Sequence, residues 1–167
     1  MDAELQLSME VGAALSSRGC RLVCAESCTG GWISMLVTAT AGSSAWFDRG
    51  FVTYSNDSKE EVLGVLPATL ASFGAVSEET VREMAVGALA RSAAGIALAV
   101  SGVAGPGGGS ADKPVGTVCF AWCLRGKPAI SETRHFGGDR DAVRRQATAY
   151  ALLGVLRELK ATAITVP

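Results

Sequence analysis

Histidine is almost missing from this sequence: there is one, His135, in 167 residues. A serine–histidine or cysteine–histidine pair therefore has a single candidate base, and a histidine-rich metal site is excluded. Positive charge is not in surplus either. Fifteen Lys+Arg stand against 16 Asp+Glu, so the electrostatic footprint of a nucleic-acid-binding protein is missing. No apolar run reaches the roughly 20 residues of a membrane-spanning helix. The first residues, Met1-Asp2-Ala3-Glu4, lack the basic segment that opens a secretory signal peptide, so a cytoplasmic location is expected. Five cysteines, an odd number, exclude a complete disulfide framework. Cys20, Cys24 and Cys28 recur at a regular spacing, but on a strand Cys20 and Cys24 lie about 13 Å apart, too far to share one ion. All five are read as reduced, small, buried side chains.

What is present is a well-furnished core. The chain is 49% hydrophobic and 19% charged, which suits one domain over 1–167 with no linker or internal repeat. Residues 3–18 read as a helix ending at Gly19, and 21–26 as a short buried strand. A buried helix follows from Thr29 to about Thr40. Residues 47–55 read as a second strand, ending in the capping run Ser55-Asn56-Asp57-Ser58. Short helices follow at 59–63 and from Pro67 to Gly74. Ser77 caps an amphipathic helix whose apolar positions are Val81, Met84, Ala85, Ala88 and Leu89. Ile96-Ala97-Leu98-Ala99-Val100 is apolar on both faces and reads as a central strand parallel to the first. After the loop 101–110 come strands at 115–124 and 129–136. The Arg125-Gly126-Lys127-Pro128 turn makes them antiparallel, and the polar second one suits a sheet edge. A last helix runs from Asp139 to about Lys160; its apolar middle, 149–156, belongs to the core or to a subunit interface such as a homodimer's. Strands alternating with helices, plus one hairpin, give an α/β fold: a three-layer α/β/α sandwich with a mixed, mostly parallel sheet.

Chemistry concentrates in Cys24-Ala25-Glu26-Ser27-Cys28-Thr29-Gly30-Gly31. Ser27 stands where a strand ends and a helix begins, beside free backbone N–H groups and glycines that permit close approach. That is the arrangement of a nucleophile with an oxyanion hole. An N-cap role for Ser27 or Thr29 explains the same pattern without chemistry. A serine nucleophile needs a base. Lys59 follows the strand that carries Tyr54, and if that strand lies beside the first, Ser27, Tyr54 and Lys59 converge at one edge. Burial must then lower the lysine pKa. Cys28 is an alternative nucleophile. The loop with Gly105, Gly107, Gly108 and Gly109 follows a central strand and suits either a phosphate cradle or a plain surface loop. It lacks the Gly-Lys-Ser/Thr of a P-loop. Arg140 and Arg144 lie one turn apart at a helix start and form a second anion candidate, or else a solvated face.

Several of these stretches, in order, resemble the CinA C-terminal domain family. They are Ala25-Glu26-Ser27-Cys28-Thr29-Gly30-Gly31, Val52 to Lys59, Gly74-Ala75-Val76-Ser77, Ser101 to Gly108, Lys113 to Val118 and Phe136 to Arg140. The resemblance is collinear over nearly the whole chain. It implies a three-layer α/β/α amidohydrolase that needs neither metal nor cofactor. Such an enzyme converts nicotinamide mononucleotide to nicotinate mononucleotide and ammonia. The family's catalytic serine, tyrosine and lysine fall on Ser27, Tyr54 and Lys59. Its oxyanion region falls on Thr29, Gly30 and Gly31, and its nucleotide loop on Gly105 to Gly109. Ser101 stands where the family usually has threonine, which keeps a hydroxyl. Longer relatives carry a further N-terminal domain whose roles do not transfer. The rival expectation is a nucleotide-binding module of the same fold without catalysis. The partner expected is a small mononucleotide, not nucleic acid or membrane.

Overall fold

The alternation Ile96-Ala97-Leu98-Ala99-Val100 sets the architecture. Large side chains point to one face of the strand and alanines to the other, and each face has its own core. In the computed structural model, which describes residues 2–162, this strand is β3 (Ile96–Gly102). It is central in a sheet ordered β2-β1-β3-β4-β5, with β1 at Leu22–Glu26, β2 at Phe47–Val52, β4 at Thr117–Leu124 and β5 at Ile130–His135. β1 pairs in parallel with β2 and β3, while β4 is antiparallel to both β3 and β5. The sheet is therefore mixed, and only β4 runs against the rest.

The large face carries Leu22, Ile96, Leu98, Phe120 and Trp122. It is covered by α1 (Ala3–Ser16), α2 (Trp32–Thr38) and α6 (Arg140–Ala161). The small face carries Ala25, Ala97, Ala99 and Ala121. Those short side chains let α5 (Glu78–Ala90) lie close to the sheet, flanked by α3 (Asn56–Leu63) and α4 (Pro67–Phe73). Gly154 makes room on α6 for the Trp122 indole, whose Nε1 donates to the Ala151 carbonyl at 2.9 Å. In the apolar middle of α6, Ala151, Leu152 and Val155 are fully buried in the core and Leu153 is half exposed. The intramolecular core therefore takes most of that stretch. Among the described residues no helix is long and apolar enough to cross a membrane.

Several boundaries differ from the sequence expectation, and three of the differences bear on the site. The helix expected from Thr29 starts at Trp32, because Gly30 and Gly31 adopt positive φ angles of 58° and 100°. The second strand ends at Val52, so Tyr54 lies beyond it in the link to α3. The central strand extends to Gly102 and takes Ser101 into the sheet. Cys20 is partly exposed rather than buried; the other four cysteines are buried, and all five are free thiols.

Candidate active site

Parallel pairing of β1 and β2 carries both strands to the same sheet edge. Ser27 is the first residue after β1. Past the end of β2, Ser55 caps α3 reciprocally with Ser58, which fixes where the first turn of α3 starts. One residue later comes Lys59, whose side chain is folded inward and is 1% exposed. Its Nζ lies 3.0 Å from Ser27 Oγ and 2.8 Å from the Thr53 carbonyl, to which it donates. Among the described residues no carboxylate bonds this amine. Burial therefore lowers the Lys59 pKa from its ordinary value of 10.5, opposed by a smaller contribution from Cys28. The neighbouring thiol moves the other way: burial pushes Cys28 up to about 12. It is a thiol, not a thiolate, at neutral pH, which weighs against the cysteine alternative.

The turn after Ser27 is held from both ends. Neither Ser27 nor Thr29 caps α2, whose N-cap is Gly31 with no side-chain bond. Glu26 does the capping from within the end of β1. Its buried carboxylate accepts from Ile33 N at 2.9 Å, Ser34 N at 3.0 Å, Ser34 Oγ at 2.8 Å and Thr29 Oγ1 at 2.6 Å. This satisfies the orphan donors of the first helical turn and sets an acidic group at the positive end of the helix. Sequence reasoning missed Glu26; the available signal was a carboxylate closing an otherwise apolar strand. Thr29, expected in the oxyanion region, thus spends its hydroxyl on Glu26. Gly30 N donates back to the Ser27 carbonyl at 3.0 Å. The backbone N–H groups of Cys28, Thr29 and Gly31 have no carbonyl partner among the described residues.

Ser27, Cys28, Tyr54, Lys59, Ser101 and Arg140 line one pocket of about 260 Å³. Ser101 is buried on β3, and Tyr54 is 63% exposed at the mouth. The Tyr54 hydroxyl, expected beside the lysine, accepts instead from Arg140 Nη2 at 3.1 Å. Arg140 Nη1 donates to the Gly105 carbonyl at 2.9 Å, so this exposed arginine ties the glycine loop to the pocket. A second hollow of about 430 Å³ shares Ala104 and Arg140 with the first and is bordered by Pro106, Asp139 and Arg144. Of the glycine loop, Gly105 is buried, while Gly107 and Gly108 are exposed and border neither hollow. Thr29, which is fully buried, and Gly30 and Gly31 do not line the pocket either. His135 is on β5 at a separate pocket, away from Ser27. No group of metal-ligating side chains occurs among the described residues.

The model of the CinA C-terminal domain matches residues 4–159. A nicotinamide-nucleotide amidohydrolase, PncC, of Escherichia coli strain K12 is 59% identical over 152 residues, covering 90% of this chain and 92% of that protein. One of the same name from Pseudomonas putida is 50% identical, covering 94% and 98%. Among solved structures, a competence damage-inducible protein A of Klebsiella pneumoniae superposes with a TM-score of 0.93 at 44% identity, covering 96% of this chain and 99% of the other.

Proposed function

The chain belongs to the CinA C-terminal domain family, and we propose that it hydrolyses the carboxamide of nicotinamide mononucleotide through a serine–lysine pair. Its relatives named nicotinamide-nucleotide amidohydrolase support the substrate. The observation that carries the mechanism is the 3.0 Å contact between Ser27 Oγ and a buried Lys59 amine.

A neutral amine has two N–H bonds and one lone pair. One N–H is taken by the Thr53 carbonyl, which holds the nitrogen while its lone pair accepts the Ser27 proton. Ser27 Oγ then bonds to the carboxamide carbon, and the carbonyl oxygen becomes an oxyanion. The Cys28 N–H, in the turn that carries the nucleophile, has no backbone acceptor among the described residues and belongs to a pocket-lining residue, which supports it as the oxyanion donor. Protonated Lys59 returns its proton to the leaving nitrogen. The C–N bond breaks, and ammonia departs from an acyl-serine. Water, deprotonated by the same amine, cleaves the ester and releases the acid and Ser27.

Arg140 has five N–H donors, of which Gly105 and Tyr54 occupy two. Arg140 also lines the hollow next to the catalytic pocket, and its remaining donors suit the phosphate end of the substrate there. Tyr54 then acts at the mouth as a wall positioned by Arg140, and Ser101 offers its hydroxyl from the pocket floor. The test is ammonia release from nicotinamide mononucleotide by the purified chain, with nicotinate mononucleotide as co-product. Tight binding of the mononucleotide without ammonia release would instead establish a binding module.

A further inference from the structure

Arg144 grips the backbone of the nucleophile turn from outside. It lies on α6, one helical turn beyond Arg140, and its guanidinium stacks over Trp32 with 5.2 Å to the ring centroid. Nε donates to the Cys28 carbonyl at 3.0 Å and Nη2 to the Thr29 carbonyl at 3.1 Å. In a trans peptide the C=O and N–H point in opposite directions. A carbonyl of Cys28 pinned toward α6 therefore fixes the plane of the Cys28–Thr29 peptide. The Ser27 carbonyl is likewise pinned, by Gly30 N, which fixes the adjoining peptide that carries the Cys28 N–H, and Cys28 lines the pocket.

We propose that Arg144 is a positioning residue of the amide hydrolysis: by holding the Cys28 and Thr29 carbonyls it fixes the turn whose Cys28 N–H receives the oxyanion at Ser27. This inference rests on the amidohydrolase reading above. It separates two arginines that border the same hollow: Arg140 binds substrate, whereas Arg144 spends Nε and Nη2 on the carbonyls of the turn and acts through them. The effect belongs to the transition state, because the negative charge develops only there.

The test compares Arg144→Ala and Arg144→Lys with Arg145→Ala in the ammonia-release assay with nicotinamide mononucleotide. Arg145 is the matched control, since it lies over the same Trp32 ring at 5.3 Å but bonds Glu4 at 2.8 Å. Loss or misplacement of one oxyanion donor costs on the order of 100-fold in turnover. Arg144→Ala should therefore lower kcat by about 10- to 100-fold with KM unchanged. Arg144→Lys, which keeps the charge but loses the guanidinium's fixed fork and its planar stack on Trp32, should fall between, and Arg145→Ala should match the wild type. Placed on a Ser27→Ala background, Arg144→Ala should leave the mononucleotide Kd where it was. Guanidinium chloride at low millimolar concentration should restore part of kcat to Arg144→Ala, and urea should not. Unchanged kcat in both Arg144 variants would overturn the proposal. So would a Kd weakened by the same factor as kcat/KM, which would make Arg144 a substrate-binding residue. If Arg144→Ala does not fold, by near-ultraviolet circular dichroism, Arg144→Lys decides alone. A wild type that releases no ammonia would refute the amidohydrolase reading and this inference together; an active wild type with an indifferent Arg144 would refute this inference alone.

Discussion

The lysine base makes the enzyme's pH dependence a direct consequence of burial. At the ordinary pKa of 10.5, only about one lysine in 1,000 is neutral at pH 7.5. Such a fraction would waste most of the enzyme. Lys59 is 1% exposed and faces a hydroxyl and a carbonyl rather than a carboxylate, so its charged form is the one that burial penalises. Each unit of depression raises the neutral fraction about tenfold until the group is half deprotonated. The log of kcat/KM should therefore climb with pH, with a slope near one, and level off at a midpoint below 10.5. The same shift is visible in stability. Below the native pKa, Lys59 is charged in both the native and unfolded states, and the native state carries the whole penalty, about 1.4 kcal/mol for each unit of depression. As pH rises through the native value toward 10.5, the native state releases its proton first and the penalty disappears. Stability contributed by this group thus rises with pH across that window. Denaturant titrations of wild type and Lys59→Met at a series of pH values would isolate the rise, because methionine cannot titrate. Turnover should fall by about 10²- to 10⁴-fold in the methionine variant, the usual contribution of general base catalysis. A wild-type kcat/KM that is flat up to pH 10, or a stability difference between the two proteins that does not change with pH, would refute the reasoning.

Other consequences follow from particular contacts. Glu26→Gln sets an amide NH₂ against the Ser34 N–H and removes one charge-assisted bond, worth about 1.5–3 kcal/mol. Its melting temperature should drop by about 3–12 °C for a domain of this size, and a melt within 1 °C of wild type, a change of well under about 1 kcal/mol, would show that the carboxylate is not the cap. Cys28→Ala should stay within a few-fold of wild-type turnover, since the thiol pKa of about 12 keeps it protonated; an inactive variant that still binds substrate would return the nucleophile role to sulfur. Arg140→Ala should weaken kcat/KM for nicotinamide mononucleotide by roughly 10- to 150-fold and for nicotinamide riboside far less, and equal effects on both would remove Arg140 from the phosphate.

The sheet was legible because its signals are periodic. The Ile-Ala-Leu-Ala-Val alternation marked the central strand, and the four-residue turn at Arg125 to Pro128 marked the hairpin. The Ser27–Lys59 approach was also legible, but only as a condition on strand order that parallel pairing of β1 and β2 then met. What escaped was long-range and side-chain in origin. Glu26 read as the polar end of a strand, since nothing local says that its carboxylate will turn to the helix on the far side of two glycines. Arg144 read as an anion candidate or a solvated side chain, because its carbonyl partners lie more than a hundred positions away in sequence. Tyr54 was expected to converge with Ser27 and Lys59 and lines the same pocket; the bond of its hydroxyl to Arg140 was the part that escaped.

The central claim is that Ser27 makes the covalent bond, and turnover by Ser27→Ala tests it most directly. Loss of a hydrolase nucleophile removes most of the rate enhancement while the binding contacts remain. Ser27→Ala should therefore release ammonia from nicotinamide mononucleotide more than about 10³-fold more slowly than wild type, with a mononucleotide Kd close to the wild-type value. Turnover within a few-fold of wild type would contradict the account.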